Sequence, residues 1–110
     1  MKTKILLLAL LAFMGFASVT SAQWTLYQTG VPYSLFGVDF ATHPYTHVGI
    51  AVGQGGTVIR TTDAGEEWTL VYQNINIWMN DVQFDPNQFG VIWAAGMGGV
   101  IIKSVDFGNT

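Results

Sequence analysis

The sequence predicts an all-β fold of tandem antiparallel repeats, and three observations carry that reading. First, the stretch Gly53 to Trp68, GQGGTVIRTTDAGEEW, returns without a gap as Gly96 to Thr110, GMGGVIIKSVDFGNT. Gly53, Gly55 and Gly56 meet Gly96, Gly98 and Gly99, and Val58-Ile59-Arg60 meets Ile101-Ile102-Lys103. Thr61-x-Asp63-x-Gly65 meets Ser104-x-Asp106-x-Gly108. Second, the repeat is longer than this stretch. Trp24-Thr25-Leu26 returns as Trp68-Thr69-Leu70, and Val38-x-Phe40 as Val82-x-Phe84, each 44 residues on. Third, the chain after Ala22 is rich in Gly, aromatic and β-branched residues and poor in Lys and Glu, and it shows no 3.6-residue apolar period.

Residues 1–22 read as a signal peptide. Lys2 and Lys4 give a positive start, and Ile5 to Ala17 is an apolar run too short for a standard membrane span of ~20 residues. Thr20-Ser21-Ala22 supplies small residues for cleavage after Ala22. The expected location is therefore secreted or periplasmic. With no cysteine in the chain, neither a lipoprotein anchor nor a disulfide frame is available. Removing residues 1–22 leaves Arg60 and Lys103 against seven acids, a formal charge of −5. Nucleic acid needs a basic face, so it is excluded as a partner. An anionic membrane surface is disfavoured for the same reason.

The strands follow in order: Trp24–Gln28, Leu35–Phe40, Val48–Val52, Val58–Thr61, Trp68–Gln73, Asn80–Phe84, Val91–Ala95 and Val100–Ser104. Gly55-Gly56 suits the turn of a hairpin, because glycine adopts positive φ at little cost. In Thr61-x-Asp63-x-Gly65 the short oxygen side chains accept bonds from N–H groups a few residues on, which locks a tight turn. Trp68 then returns a large apolar area and one N–H donor to the core. The loop Ala41–His47 is one residue longer than Asp85–Gly90, which accounts for a repeat offset of 43 rather than 44 beyond it.

A period of ~40–50 residues, read as four strands, is that of a propeller blade. The repeats run 24–67 and 68–110, about two antiparallel β-propeller blades of an incomplete ring. Trp24–Gln28 is then an odd first strand that would pair with the last blade and close the ring. Because such a ring takes typically 4–8 blades, the chain is expected to be a truncated, amino-terminal fragment of a longer propeller.

Thr61, Asp63, Gly65 and Trp68 form a complete Ser/Thr-x-Asp-x-Gly-x-x-Trp pattern; Ser104, Asp106 and Gly108 form a second one without its Trp. This pattern resembles the Asp-box, or BNR repeat. With the Val-x-Phe strand, the Ala-x-Gly strand end and Gly-Gly before it, the whole is similar to photosystem II stability/assembly factor-like repeats. The resemblance covers nearly all of the chain after Ala22. It implies a propeller fold, structural roles for the box residues and an assembly-factor-like protein partner.

The remaining candidates are set against simpler readings. Asp63 and Asp106 read as turn residues; a calcium site would need more converging oxygens than each box offers. His43 and His47 are four apart but separated by Pro44 in a loop, so no helix face joins them. Asp39, Asp81 and Asp85 could include paired glycosidase carboxylates, but Asp85-Pro86-Asn87 is a turn sequence, and Gln83 stands where Asp39 would recur, which marks Asp39 as outside the repeat's structure. Tyr27, Phe36, Trp78, Phe89 and Trp93 are expected mostly in the core. Tyr33 and Tyr45, in loops, are the candidate binding-face aromatics. No residue is assigned a catalytic, cofactor or metal role. The expected function is an exported, non-catalytic β-propeller module that binds a protein or glycan or assists assembly. The alternative is a fragment of a secreted glycoside hydrolase, of sialidase or xyloglucanase type, with its catalytic residues outside this chain.

Overall fold

The structure is a computed structural model that describes residues 23–110. The expected signal peptide, residues 1–22, lies outside the described residues. Seven strands follow in order: β1 Leu35–Phe40, β2 Gly49–Gly53, β3 Val58–Thr61, β4 Thr69–Tyr72, β5 Met79–Phe84, β6 Ile92–Gly96 and β7 Ile101–Ser104. They form two antiparallel sheets, ordered β1-β2-β3-β4 and β5-β6-β7. The all-β architecture is the one the repeats predict, and seven of the eight expected strands appear to within one residue.

The eighth, Trp24–Gln28, is corrected. It forms no strand. Its apolar side chains stand in solvent, with Leu26 84% exposed. A strand exists only through the ladder it makes with a neighbour, and among the described residues no strand pairs with this segment.

Register shows how the sheets meet. Asp39, Ile50, Arg60 and Thr69 lie in one cross-strand row, so they share the inner face of the first sheet. Val82, Ala94 and Ile102 form such a row in the second sheet, and Phe84, Ile92 and Ser104 another. These inner faces pack together: Ile50, Val52 and Val58 join Met79, Val82, Phe84, Ile92 and Ala94 in one core. Strand alternation thus sorts one apolar set inward from each sheet.

Close backbone approach needs glycine at the inner edge, where β1 runs beside β5. A Cβ built on Gly37 would lie 3.1 Å from the Asp81 Cα. The β2–β3 hairpin turns through Gln54–Gly56, with the Gly53 N–H donating to the Thr57 carbonyl at 3.0 Å. Gly56 has φ +61°, and a Cβ there would lie 2.3 Å from the Asn74 carbonyl oxygen, so both conformation and space require glycine.

Candidate functional site

All strands share two ends. One carries the polar turns after β3 and β7. In the first, the Thr61 hydroxyl donates to Asp63 Oδ1 at 2.7 Å and accepts the Gly65 N–H at 2.9 Å. Asp63 Oδ1 also accepts the Glu67 N–H at 2.9 Å, and the Trp68 indole N–H donates to the Gly65 carbonyl at 3.0 Å. The Glu67 N–H, then the Thr61 hydroxyl, holds the Asp63 carboxyl below its usual range.

The second turn repeats this geometry. Ser104 donates to Asp106 Oδ1 at 2.8 Å and accepts the Gly108 N–H at 3.0 Å. Asp106 accepts the Thr110 N–H at 2.9 Å and the Thr110 hydroxyl at 2.6 Å. The Thr110 hydroxyl and N–H, followed by Ser104, lower the Asp106 carboxyl to about 2. Ala64 and Phe107 occupy the same left-handed position, with φ of 62° and 59°. Asp63 Oδ1 and both oxygens of Asp106 are engaged within their own turns, so both carboxylates serve to hold turn geometry.

Asp39, Asp81 and Asp85 are bound into the fold as well. The mismatch of Asp39 with Gln83 suggests that Asp39 lies outside the repeat's structure, and the structure corrects this. Its Oδ2 accepts the Phe84 N–H of the second sheet at 2.7 Å while Oδ1 accepts its neighbour Phe40 N–H at 3.0 Å. It is a clasp between sheets, matched by Arg60 Nε, which donates to the Phe107 carbonyl at 2.7 Å. Asp81 Oδ1 accepts the Val82 N–H at 2.9 Å. Asp85 accepts the Asn87 N–H at 2.9 Å and also holds the Gln88 amide and the Trp93 indole. The Asn87 N–H is the main cause of its lowered carboxyl. Among the described residues, no three of His, Asp or Glu converge as metal ligands.

Tyr33 and Tyr45 are not brought together. Tyr33 precedes β1 and its ring packs on Gly55. Tyr45 follows β1 at the opposite end, where it packs edge-on to Phe89 and against Phe107, both at 5.1 Å between centroids. The expectation that Tyr27, Phe36, Trp78, Phe89 and Trp93 are mostly core is also corrected: all five are exposed. Trp93 stands on the face of the second sheet that has no neighbouring sheet, whereas Trp78 and Phe89 lie in loops outside the strands.

The two ends differ in charge. Six of the seven acids sit at the end of the polar turns: Asp39, Asp63, Glu66, Glu67, Asp85 and Asp106. The opposite end is built from residues 29–34, 53–57, 73–78 and 96–100, which hold no Asp, Glu, Lys or Arg. Ile75, Trp78 and Met97 are exposed there, and Phe36 lies 6.1 Å from Trp78. This uncharged apolar end was missed in the sequence, although four loops free of charge were its signal.

No family model and no curated protein matches the chain. Solved structures do. YCF48 from Cyanidioschyzon merolae superposes with a TM-score of 0.68 at 26% identity, over 81% of this chain and 29% of that one. YCF48 bound to D1 peptide gives 0.66 at 24% identity, over 83% and 29%. The two sheets are β-propeller blades, similar to those of the photosystem II assembly factor YCF48. The chain spans under a third of the length of either YCF48 structure. In propeller terms, β1–β4 is a four-stranded blade and β5–β7 a blade with three strands.

Proposed function

We propose that this chain is an exported, non-catalytic β-propeller module that binds a protein segment at its uncharged end. The observation that carries the reading is the likeness to a YCF48 structure whose partner is a peptide. The local chemistry supports it. Trp78, Phe36, Met97 and Ile75 offer an aromatic and thioether surface of the kind enriched in recognition patches. The backbone groups and amides of Gln54 and Asn76 supply neutral hydrogen-bonding partners beside it. Such a surface favours an uncharged, apolar peptide stretch, since an acidic or basic one would lose hydration with no countercharge to meet it. Export rests on the pattern of residues 1–22.

The test is a fluorescence titration of the full chain with an apolar, an acidic and a basic peptide of equal length. Saturable binding of the apolar peptide, weakened at least tenfold by Trp78→Ala, is the expected result. That loss is modest for a central aromatic anchor. Absence of any peptide binding, together with measurable hydrolysis of a glycoside, would instead support the secreted hydrolase reading.

A further inference from the structure

At the end of the polar turns, the loop joining β1 to β2 and the loop joining β5 to β6 line a crevice of about 220 Å³ together with Phe107 of the second polar turn. Among its lining residues, Tyr45, Phe89 and Phe107 form a packed trio. Phe89 and Phe107 meet edge to face at 4.9 Å between centroids, and Tyr45 lies 5.1 Å from each.

The repeat does not call for this trio. The bond from the Val48 N–H to the Tyr45 carbonyl recurs as that from the Val91 N–H to the Gln88 carbonyl. Gln88 therefore stands where Tyr45 would recur, and Thr46 stands where Phe89 would. Ala64 holds the place of Phe107. Its N–H donates to the His47 carbonyl as the Phe107 N–H donates to the Gly90 carbonyl, both at 2.9 Å. Both residues are left-handed, with φ of 62° and 59°, a conformation that a bulky aromatic adopts only at a cost. Strain kept where alanine closes the same turn marks Phe107 as serving something beyond the turn. Packing within the trio does not use it up either, since Phe89 stays 71% exposed.

The rest of the lining selects the ligand. The Tyr45 hydroxyl, the His43 imidazole and the Asn87 amide bring hydrogen-bonding groups to the same crevice. No Lys or Arg lines it, so a carboxylate or phosphate would find no countercharge there. Asp85 is its one acid, and both of its oxygens are committed: Oδ1 to the Asn87 N–H, Oδ2 to the Gln88 amide and the Trp93 indole. Arg60, whose Nε donates to the Phe107 carbonyl at 2.7 Å, sets a positive charge behind the trio, which opposes a cation. The volume falls below the ~300–1,000 Å³ of sites for drug-sized ligands, and it suits a single ring. An uncharged ring with an apolar C–H face and hydroxyls around its rim meets all these conditions, because the negative face of an aromatic attracts polarised C–H bonds.

We propose that this crevice binds one neutral sugar ring, with Phe89 against its C–H face and Tyr45, His43 and Asn87 on its hydroxyls. The site lies at the opposite end of the blades from the uncharged peptide surface and is independent of it.

Saturation-transfer NMR on the full chain tests this. The probes are the methyl pyranosides of glucose, galactose, mannose and N-acetylglucosamine, with N-acetylneuraminic acid and tetramethylammonium as charged counterparts. Saturable transfer to the ring C–H protons of at least one neutral pyranoside is expected, with weaker transfer to both charged probes. Phe89→Thr, which installs the residue of the first blade on an exposed loop, is expected to weaken binding at least tenfold at an unchanged melting temperature. Phe89→Trp is expected to retain it. Trp78→Ala, at the other end, should leave sugar binding as it is, which separates a failure here from a failure of the peptide reading. Transfer to none of the neutral pyranosides would overturn the proposal. So would transfer that survives Phe89→Thr, or a charged probe that binds more tightly than every neutral one.

Discussion

Replacing Thr61 with valine isolates the lock of the first polar turn. Valine keeps the shape and the β-branch of threonine at a position only 1% exposed, so packing is retained and the hydroxyl alone is lost. That hydroxyl donates to Asp63 at 2.7 Å and accepts the Gly65 N–H at 2.9 Å, with a weaker approach of the Asp63 N–H at 3.3 Å. Removing it leaves the Gly65 N–H without its acceptor, and an unsatisfied donor costs ~1–3 kcal/mol. Gly65 is half-buried, so water recovers part of this, and a loss of about 1–2 kcal/mol follows. With a urea m-value of about 1 kcal/mol per molar for a small chain, the unfolding midpoint falls by about 1–2 M. Thr61→Ser supplies the control, since the second repeat uses Ser104 with the same bonds at 2.8 and 3.0 Å. It should retain the lock and lose only the contribution of one methyl, about 1 kcal/mol. Denaturant melts at one fixed protein concentration measure both. A Thr61→Val midpoint equal to wild type, or a Thr61→Ser loss larger than that of Thr61→Val, would refute the assignment of the hydroxyl as the lock.

Other predictions follow from the same geometry. Asp63→Asn should lower the melting temperature while leaving peptide affinity at the uncharged end nearly unchanged; a collapse of affinity at constant melting temperature would contradict a purely structural turn. Asp106 is depressed in the folded chain from 3.8 to about 2, so its contribution is present above the unfolded value and disappears as pH falls from about 4 to 2. An acid melt should show this loss in wild type and a smaller one in Asp106→Asn. Gly108→Ala should cost far more than Gly98→Ala. Both have φ near +75°, worth about 1–2 kcal/mol of strain each. Only the Gly108 Cβ also meets Ile50 Cδ1, at 2.3 Å, which adds overpacking of about 1–3 kcal/mol, and thermal melts of the two variants compare them.

The strands were legible because alternation and glycine punctuation are local signals. Val58-Ile59-Arg60 between Gly55-Gly56 and Thr61-x-Asp63 announces a strand with a turn at each end, and β3 fills that space. Trp24–Gln28 carries the same local signal and forms no strand, because pairing is a property of the neighbour and not of the segment. Asp39 illustrates a further limit. Its partner, the Phe84 N–H, lies 45 residues away on another sheet, so comparing Asp39 with Gln83 by repeat position could not reveal it. Arg60 and Phe107 are hidden in the same way. The exposed aromatics were misjudged because aromatic content says nothing about which sheet face receives a neighbour. The uncharged end was readable only after the topology brought four separate loops together.

The central claim is that the two sheets dock face to face as consecutive blades. The amide of Phe84 tests it most directly. Phe84 lies on β5, the inner edge of the second sheet, and its N–H is bonded to Asp39 of the first. Residue-resolved hydrogen exchange on wild type and Asp39→Ala measures that bond. Slow exchange of the Phe84 amide in wild type, becoming fast in the variant while the β6 amides stay protected, is the predicted result. A Phe84 amide that exchanges freely in wild type would show that the blades do not meet as described.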